Sequence, residues 1–258
     1  MPLADFEQTV EAFWRRRQEG VFFPQEWEDT LTINDACRIQ LALLDRYIAQ
    51  GARQVGWKVG LTSKAMQDQF RVHEPLFGYL MGSAPNDSGT TFDYASLIKP
   101  AFENEICMTL GADLVGPGVD AQAALASVVS VMPAMELVET RGPFTEQLAL
   151  AITDNIQQRG IILGPETSPL PSGLDLQAVS VGVSVNGTLV AEGTGDAVLG
   201  HPINSLVWLA NKLAEYERGL RAGDVVMSGS LTRQFSISRG DTIMAAFDPL
   251  GKVGASFI

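Results

Sequence analysis

The run Ala101-Phe102-Glu103-Asn104-Glu105-Ile106-Cys107 reads as a strand, yet it places carboxylates at alternate positions, Glu103 and Glu105. Side chains two apart in a strand leave the same face, so the two glutamates point together. Cys107 and Thr109 continue their face, and Phe102, Ile106, Met108 and Leu110 occupy the other. Adjacent carboxylates repel, and either a proton on one of them or a divalent cation between them removes the repulsion. An exposed strand face with two solvated glutamates accounts for the pair equally well. The run Val131 to Glu139 shifts the balance, because Glu136 stands among Met135, Leu137 and Val138, and an acid so placed needs a partner. Glu136 shares a face with Ala134 and Val138, whereas Glu139 lies on the opposite one.

Three carboxylates from two strands form an all-oxygen donor set. Such a set selects hard cations such as Mg²⁺ or Mn²⁺ over zinc, which favours His and Cys. A cation of this kind is a Lewis acid that can grip a 2-oxo acid through its carboxylate and keto oxygens. Lys58 lies in the strand-like run Val55 to Gly60 between Trp57 and Val59. It either snorkels to the surface along its stem or is held as a cation for an anionic substrate. Ser230 and Thr232, in Gly229-Ser230-Leu231-Thr232, offer hydroxyls at a strand end that suit a carboxylate, as an ordinary turn also would.

These residues must be positioned by a chain of 258 residues, long enough for one large core or a core with a small appendage. With 30 acidic against 18 basic residues and a formal charge of -12, it lacks the broad positive surface that nucleic acids require. The start shows no basic region followed by an apolar run, and no stretch approaches the length of a membrane helix. A soluble, cytoplasmic protein with no membrane partner is the expectation. Cys37 and Cys107, far apart in the chain, read as small buried apolar residues.

Phe6, Val10, Phe13 and Trp14 recur at helical spacing before the run Arg15-Arg16-Arg17, which reads as a solvated helix end. A second helix follows, with Asn34 as its cap and Gly51 as its stop. Residues 1–51 thus form a small helical unit, and residues 52–258 a strand-rich core. Within that core, Lys64 to Phe70, Ala121 to about Ser130 behind the cap Asp120, Phe144 to Ile152 and Pro202 to Tyr216 read as helices. Asn186-Gly187 marks a hairpin, and Asp241 to Phe247 pairs with Val253 to Phe257. The glycines from Gly193 to Gly200 lack the spacing of a nucleotide loop, and His73 and His201 read as structural.

Six ordered segments carry a resemblance. They are Gly56-Trp57-Lys58-Val59-Gly60-Leu61-Thr62-Ser63, Glu103-Asn104-Glu105, Met132 to Val138, Thr153-Asp154-Asn155, Val198-Leu199-Gly200-His201-Pro202 and Gly229 to Thr232. From about residue 30 onward the chain resembles the hydratase/decarboxylase branch of the fumarylacetoacetate hydrolase superfamily. The resemblance implies an α+β fold, with a rolled mixed β-sheet core of the fumarylacetoacetate hydrolase C-terminal type behind an N-terminal helical unit, assembled as a homo-oligomer. It implies Glu103, Glu105 and Glu136 as ligands of Mg²⁺ or Mn²⁺, Lys58 and Asp154 as catalytic residues, and Leu61, Thr62, Ser230 and Thr232 as substrate-binding residues. The activity implied is hydration of a 2-hydroxy-2,4-dienoate to a 4-hydroxy-2-oxo acid in aromatic-compound catabolism. Decarboxylation of a 4-oxalocrotonate-type acid at the same site, or a non-catalytic subunit that binds 2-oxo acids, are the alternatives. The chain departs from the family pattern at Gly82 and Ser83, where aspartates are usual, and at Ile156-Gln157-Gln158, where small residues are usual.

Overall fold

A computed structural model describes residues 3–258, with side chains from residue 5 onward. Two helices open the chain, α1 (Leu3–Gln18) and α2 (Ile33–Ala49). Thr32, not Asn34, caps α2, its hydroxyl accepting from the Asp35 N–H at 3.1 Å, so the helix starts one residue before the expected cap. One side of α2 gives Ile39 and Leu43 to a cluster with Phe6, Val10 and Phe13 of α1, while Ala36, Leu41 and Leu44 enter the main core.

The strands and remaining helices follow in the order β1 (Gln54–Gly60), α3 (Lys64–Phe70), β2 (Leu76–Met81), β3 (Pro85–Asp87), β4 (Thr91–Phe92), β5 (Pro100–Leu110), α4 (Ala121–Ser127), β6 (Val128–Glu139), α5 (Leu148–Thr153) and β7 (Gln158–Leu163). Then come β8 (Ser180–Val185), β9 (Thr188–Thr194), α6 (Pro202–Ala214), β10 (Val225–Ser230), β11 (Phe235–Ser236), β12 (Thr242–Asp248) and β13 (Gly251–Phe257). Helix α4 stops at Ser127 because the β-branched run from Val128 is taken into β6, and α5 begins only at Leu148. Asp120 caps α4 as expected, accepting from Ala123 N–H.

The larger sheet has the order β2-β1-β10-β5-β6-β7-β3, with β11 paired to β5, and mixes parallel and antiparallel neighbours. A second sheet, β4-β13-β12-β8-β9, packs β12 and β13 against β6. The α+β class with mixed sheets agrees with expectation. Strands β5 and β6 lie at the centre of the larger sheet, and both of their faces are covered. Phe102, Ile106 and Met108 enter the main core with Leu206 and Leu209 of α6, while Cys107, Met132, Ala134 and Met227 close the other face. That second face is the one carrying the glutamates, and along β5 it is partly exposed at Glu103 and Thr109 and closed between them at Glu105 and Cys107.

Candidate metal centre

Antiparallel pairing of β5 with β6 sets Glu103 directly opposite Glu136 and Glu105 opposite Ala134. Parity alone aimed Glu103 and Glu105 the same way; the register brings Glu136 to them. Oxygen atoms of all three lie within 4.8 Å of one another, and no other such cluster of acids, His and Cys occurs among the described residues. Glu105 and Glu136 are fully buried, and Glu103 is partly exposed.

Burial is the main force on these acids, raising the proton affinity of all three above the ordinary carboxylate value. At Glu105 the charges of Glu136 and Glu103 add to it, and the Gly229 N–H opposes. Glu136 is pushed up to about 7, with Lys58 holding it from going further. Gly229 donates its N–H to Glu105 Oε2 at 2.7 Å, and Glu105 Oε1 has no hydrogen-bond partner among the described residues. Only glycine serves there. Its φ is +109°, and a Cβ would stand 2.4 Å from Thr62 Cγ2 and 2.5 Å from Thr62 Oγ1.

Lys58 is buried and does not snorkel. Its Nζ lies 3.1 Å from Glu136 Oε1 and 3.2 Å from Oε2, the latter as a hydrogen bond, and donates weakly to Ile156 O at 3.5 Å. Its stem passes over Gly78, where a Cβ would meet Lys58 Cε at 3.1 Å. Three carboxylates against one ammonium leave two negative charges uncompensated, which is the charge of one divalent cation. The orphaned Glu105 Oε1 and the all-oxygen donor set both suit a hard cation. Cys107, next on the same face, is not part of the cluster, and burial pushes its thiol well above the ordinary range.

Glu103 looks into two adjoining cavities. The smaller, about 290 Å³, is walled by Lys58, Phe70, Phe144 and Ile156, the two phenylalanine rings meeting edge to face. The larger, about 390 Å³, is lined by Thr62, Ser230, Thr232, Arg233 and Gln234, and Leu61 is common to both. The Ser230 and Thr232 hydroxyls also serve the scaffold. Asn104 donates its backbone N–H to Ser230 Oγ at 3.2 Å and its side-chain amide to Thr232 Oγ1 at 2.8 Å.

Asp154, expected among the catalytic residues, is fully buried and lines neither cavity. Its Oδ1 accepts from Arg17 at 3.0 Å and its Oδ2 from Arg141 at 2.7 Å. Burial raises its pKa, and Arg141 and Arg17 pull it back. Arg17 was expected to be solvated with its neighbours; Arg16 pairs with Glu26 near the surface, but Arg17 turns inward. After Asp154, Asn155, Ile156 and Gln157 all take left-handed φ values of 57°, 51° and 58°. Such a conformation costs about 1–3 kcal/mol per residue, so neighbours must hold it. Gly82 and Ser83 also lie outside both cavity linings, the Gly82 N–H donating to Arg53 O. His201 caps α6, its Nδ1 accepting from Ile203 N–H, and His73 is exposed.

Residues 48–257 match the fumarylacetoacetate hydrolase C-terminal family. A 2-hydroxyhexa-2,4-dienoate hydratase of Comamonas testosteroni is 35% identical over 88% of this chain and 87% of its own length. A 4-oxalocrotonate decarboxylase of Pseudomonas putida is 35% identical over 88% of this chain and 86% of its own. The solved structure of the 4-oxalocrotonate decarboxylase from Pseudomonas putida G7, complexed with magnesium and adipate, superposes with a TM-score of 0.89 at 32% identity, covering 98% of each chain.

Proposed function

The chain belongs to the fumarylacetoacetate hydrolase C-terminal family, and from that premise we propose that it is a divalent-metal-dependent lyase that hydrates a 2-hydroxy-2,4-dienoate to a 4-hydroxy-2-oxo acid. The observation that carries this reading is the cluster of Glu103, Glu105 and Glu136 at the inner end of a substrate-sized cavity, beside a buried ammonium. Residues 52–258 supply this site, and the helices of residues 1–51 brace it from behind.

Glu103, Glu105 and Glu136 would hold Mg²⁺ or Mn²⁺, whose Lewis acidity would draw electron density from the carboxylate and keto oxygens of the bound acid. Lys58 adds positive charge on the same side and is the only basic side chain in the smaller cavity among the described residues. It orients the anionic end of the substrate and is the group placed to move a proton, at Nζ. Phe70, Phe144 and Ile156 exclude water from the hydrocarbon part. In the larger cavity Leu61 and Thr62 border the entry, and the hydroxyls of Ser230 and Thr232 offer contacts for the acid. In the overall reaction the dienol loses the proton of its 2-hydroxyl and gains one at the far carbon of the diene, becoming the isomeric conjugated enone. The hydroxyl of water then adds at C4 and its proton at C3.

A distal carboxylate on the substrate would suit hydration of a diacid and also decarboxylation, the second reading. Arg233 lies exposed at the rim of the larger cavity, its guanidinium 4.1 Å from the ring centroid of Phe235, where a distal carboxylate would meet it. Incubating the protein and Mg²⁺ with 2-hydroxypenta-2,4-dienoate and with 4-oxalocrotonate, while following dienoate absorbance and CO₂, separates the two. Loss of dienoate without CO₂ is the expected result. Release of CO₂ from 4-oxalocrotonate as the faster reaction would replace the hydratase reading, and no turnover of either acid would leave a 2-oxo-acid-binding subunit.

Self-association is part of the same proposal. Leu189 and Met244 lie exposed in one row of the second sheet, joined through Ser184, and sedimentation velocity checks it. Among the described residues no helix is long and apolar enough to cross a membrane, which is in keeping with the proposed cytoplasmic location.

A further inference from the structure

We propose that Arg17, on the first helix, is a positioning residue for Lys58, clamping Asp154 so that the left-handed turn Asn155–Gln157 presents its backbone to the lysine. Arg17 lies outside the residues that match the family. The proposal rests on the reading of Lys58 as the group that faces the substrate.

The turn is held at every point by something other than its own preference. At its start, Asp154 is gripped by Arg17 on one carboxylate oxygen and by Arg141 on the other. Arg141 also spans the turn, its Nη2 donating to Asp154 O and to Gln158 O, both at 3.2 Å. In the middle, Asn155 Oδ1 accepts from Tyr79 N–H at 2.8 Å and its Nδ2 donates to Tyr79 O at 2.9 Å, tying the turn to β2. Gln40 of α2 donates to the same Oδ1 at 3.2 Å. Ile156 can then turn its carbonyl to Lys58 Nζ and its side chain into the smaller cavity.

Arg17 and Arg141 face Asp154 and Glu139, Arg141 Nη1 lies 2.9 Å from Glu139 Oε2, and the exposed Arg159 reaches Glu139 Oε1 at 3.7 Å. Asp154 holds a guanidinium on each oxygen and lines neither cavity, so it acts through geometry. Buried ion pairs of this kind serve best to select one conformation over its neighbours. Three successive left-handed residues, one of them β-branched, form a conformation that needs selecting. Of the two clamps, Arg141 is near in sequence, and Arg17 arrives from a separate helix.

The test uses the full chain with Arg17→Met, the milder Arg17→Gln and Arg17→Lys, and with Lys58→Met as a reference. Turnover of a 2-hydroxydienoate with Mg²⁺, Mn²⁺ affinity and backbone hydrogen exchange are measured. Arg17→Met is expected to lower kcat about tenfold to a hundredfold, with KM and Mn²⁺ affinity changed less than about threefold. Exchange at residues 154–158 should speed up about tenfold while β12 and β13 stay unchanged. Arg17→Gln should share the defect, and Arg17→Lys should recover most of kcat. Unchanged exchange at residues 154–158, a kcat within twofold of the parent, or faster exchange throughout the protein would each overturn the clamp. A parental kcat in Lys58→Met would instead overturn the reading of Lys58, a result independent of what Arg17 does to the turn.

Discussion

Lys58 Nζ lies 3.1 Å from Glu136 Oε1, and neither side chain has more than a trace of its surface in water. An ammonium and a carboxylate so deeply placed cost several kcal/mol each to desolvate, and the pair alone does not neutralise the two further glutamates beside it. The arrangement is stable only with protons or a cation in the same space.

Replacing the lysine tests that balance. Lys58→Met is expected to lower kcat by at least about 100-fold, the scale of a lost acid–base group. It should also destabilise the metal-free protein at pH 8 by about 3–5 kcal/mol, because Glu136 loses the ammonium that pairs with it. Steady-state kinetics and denaturant unfolding check the two effects, and saturating Mg²⁺ should restore part of the stability but not the rate.

Glu105 is the acid whose removal separates metal binding from folding. Glu105→Gln keeps an oxygen to accept the Gly229 N–H but loses the charge, so the fold is retained and Mn²⁺ affinity falls by at least about 100-fold, measured by calorimetry. Parental affinity in this variant would remove Glu105 from the ligand set.

Protons and a metal held by the three glutamates would compete for the same oxygens. Glu136, pushed up to about 7 from an ordinary value of 4.5, favours the folded metal-free state when protonated. That contribution is complete below the ordinary value and is lost as pH rises through about 7. Metal-free protein should therefore melt lower at pH 8 than at pH 6, by roughly 5 °C. Saturating Mg²⁺ should remove the difference, and Mg²⁺ affinity should rise over the same interval as binding displaces protons.

Gly229 is expected to resist every substitution. Gly229→Ala puts a methyl group into Thr62 at a positive φ, and relief of that clash moves the N–H off Glu105. A loss of about 1–3 kcal/mol in stability and a weaker Mn²⁺ site should appear together in unfolding and titration experiments.

Ile156 limits the smaller cavity with its side chain and serves Lys58 with its carbonyl. Ile156→Gly keeps the carbonyl, suits the left-handed backbone and opens the wall. Preference in kcat/KM should shift about tenfold toward dienoates longer by a methylene or two, the scale of such changes in an apolar pocket.

Much of this site is legible in the residues themselves. Parity along Ala101 to Cys107 aims Glu103 and Glu105 together, and the apolar neighbours of Glu136 demand a partner for it. The hairpin at Asn186-Gly187, the helix Lys64 to Phe70 and the Asp120 cap are local chemistry and appear where expected. Helix starts and ends were less legible, as at Thr32 and Ser127, because neighbouring residues of similar type compete for a cap or a strand. Asn104, which anchors Ser230 and Thr232, lies between the two glutamates on the face of Phe102 and Ile106, and Gln40, which anchors Asn155, is a polar residue between Ile39 and Leu41; neither contact is legible before the fold brings the partners together.

The sequence by itself determined which atoms are available: three carboxylates and a lysine in strands, with a donor set that selects a hard cation. Alternation, capping and turn formation depend on residues a few positions apart, so the chain states them directly. Tertiary structure decided which of those atoms meet. The β5–β6 register sets Glu103 against Glu136, and the return of β10 brings Gly229 N–H to Glu105. Arg17 joins Asp154 across 137 residues. Such contacts form only when the whole core closes, because no short segment gains enough from a buried ion pair to offset the cost of desolvating it.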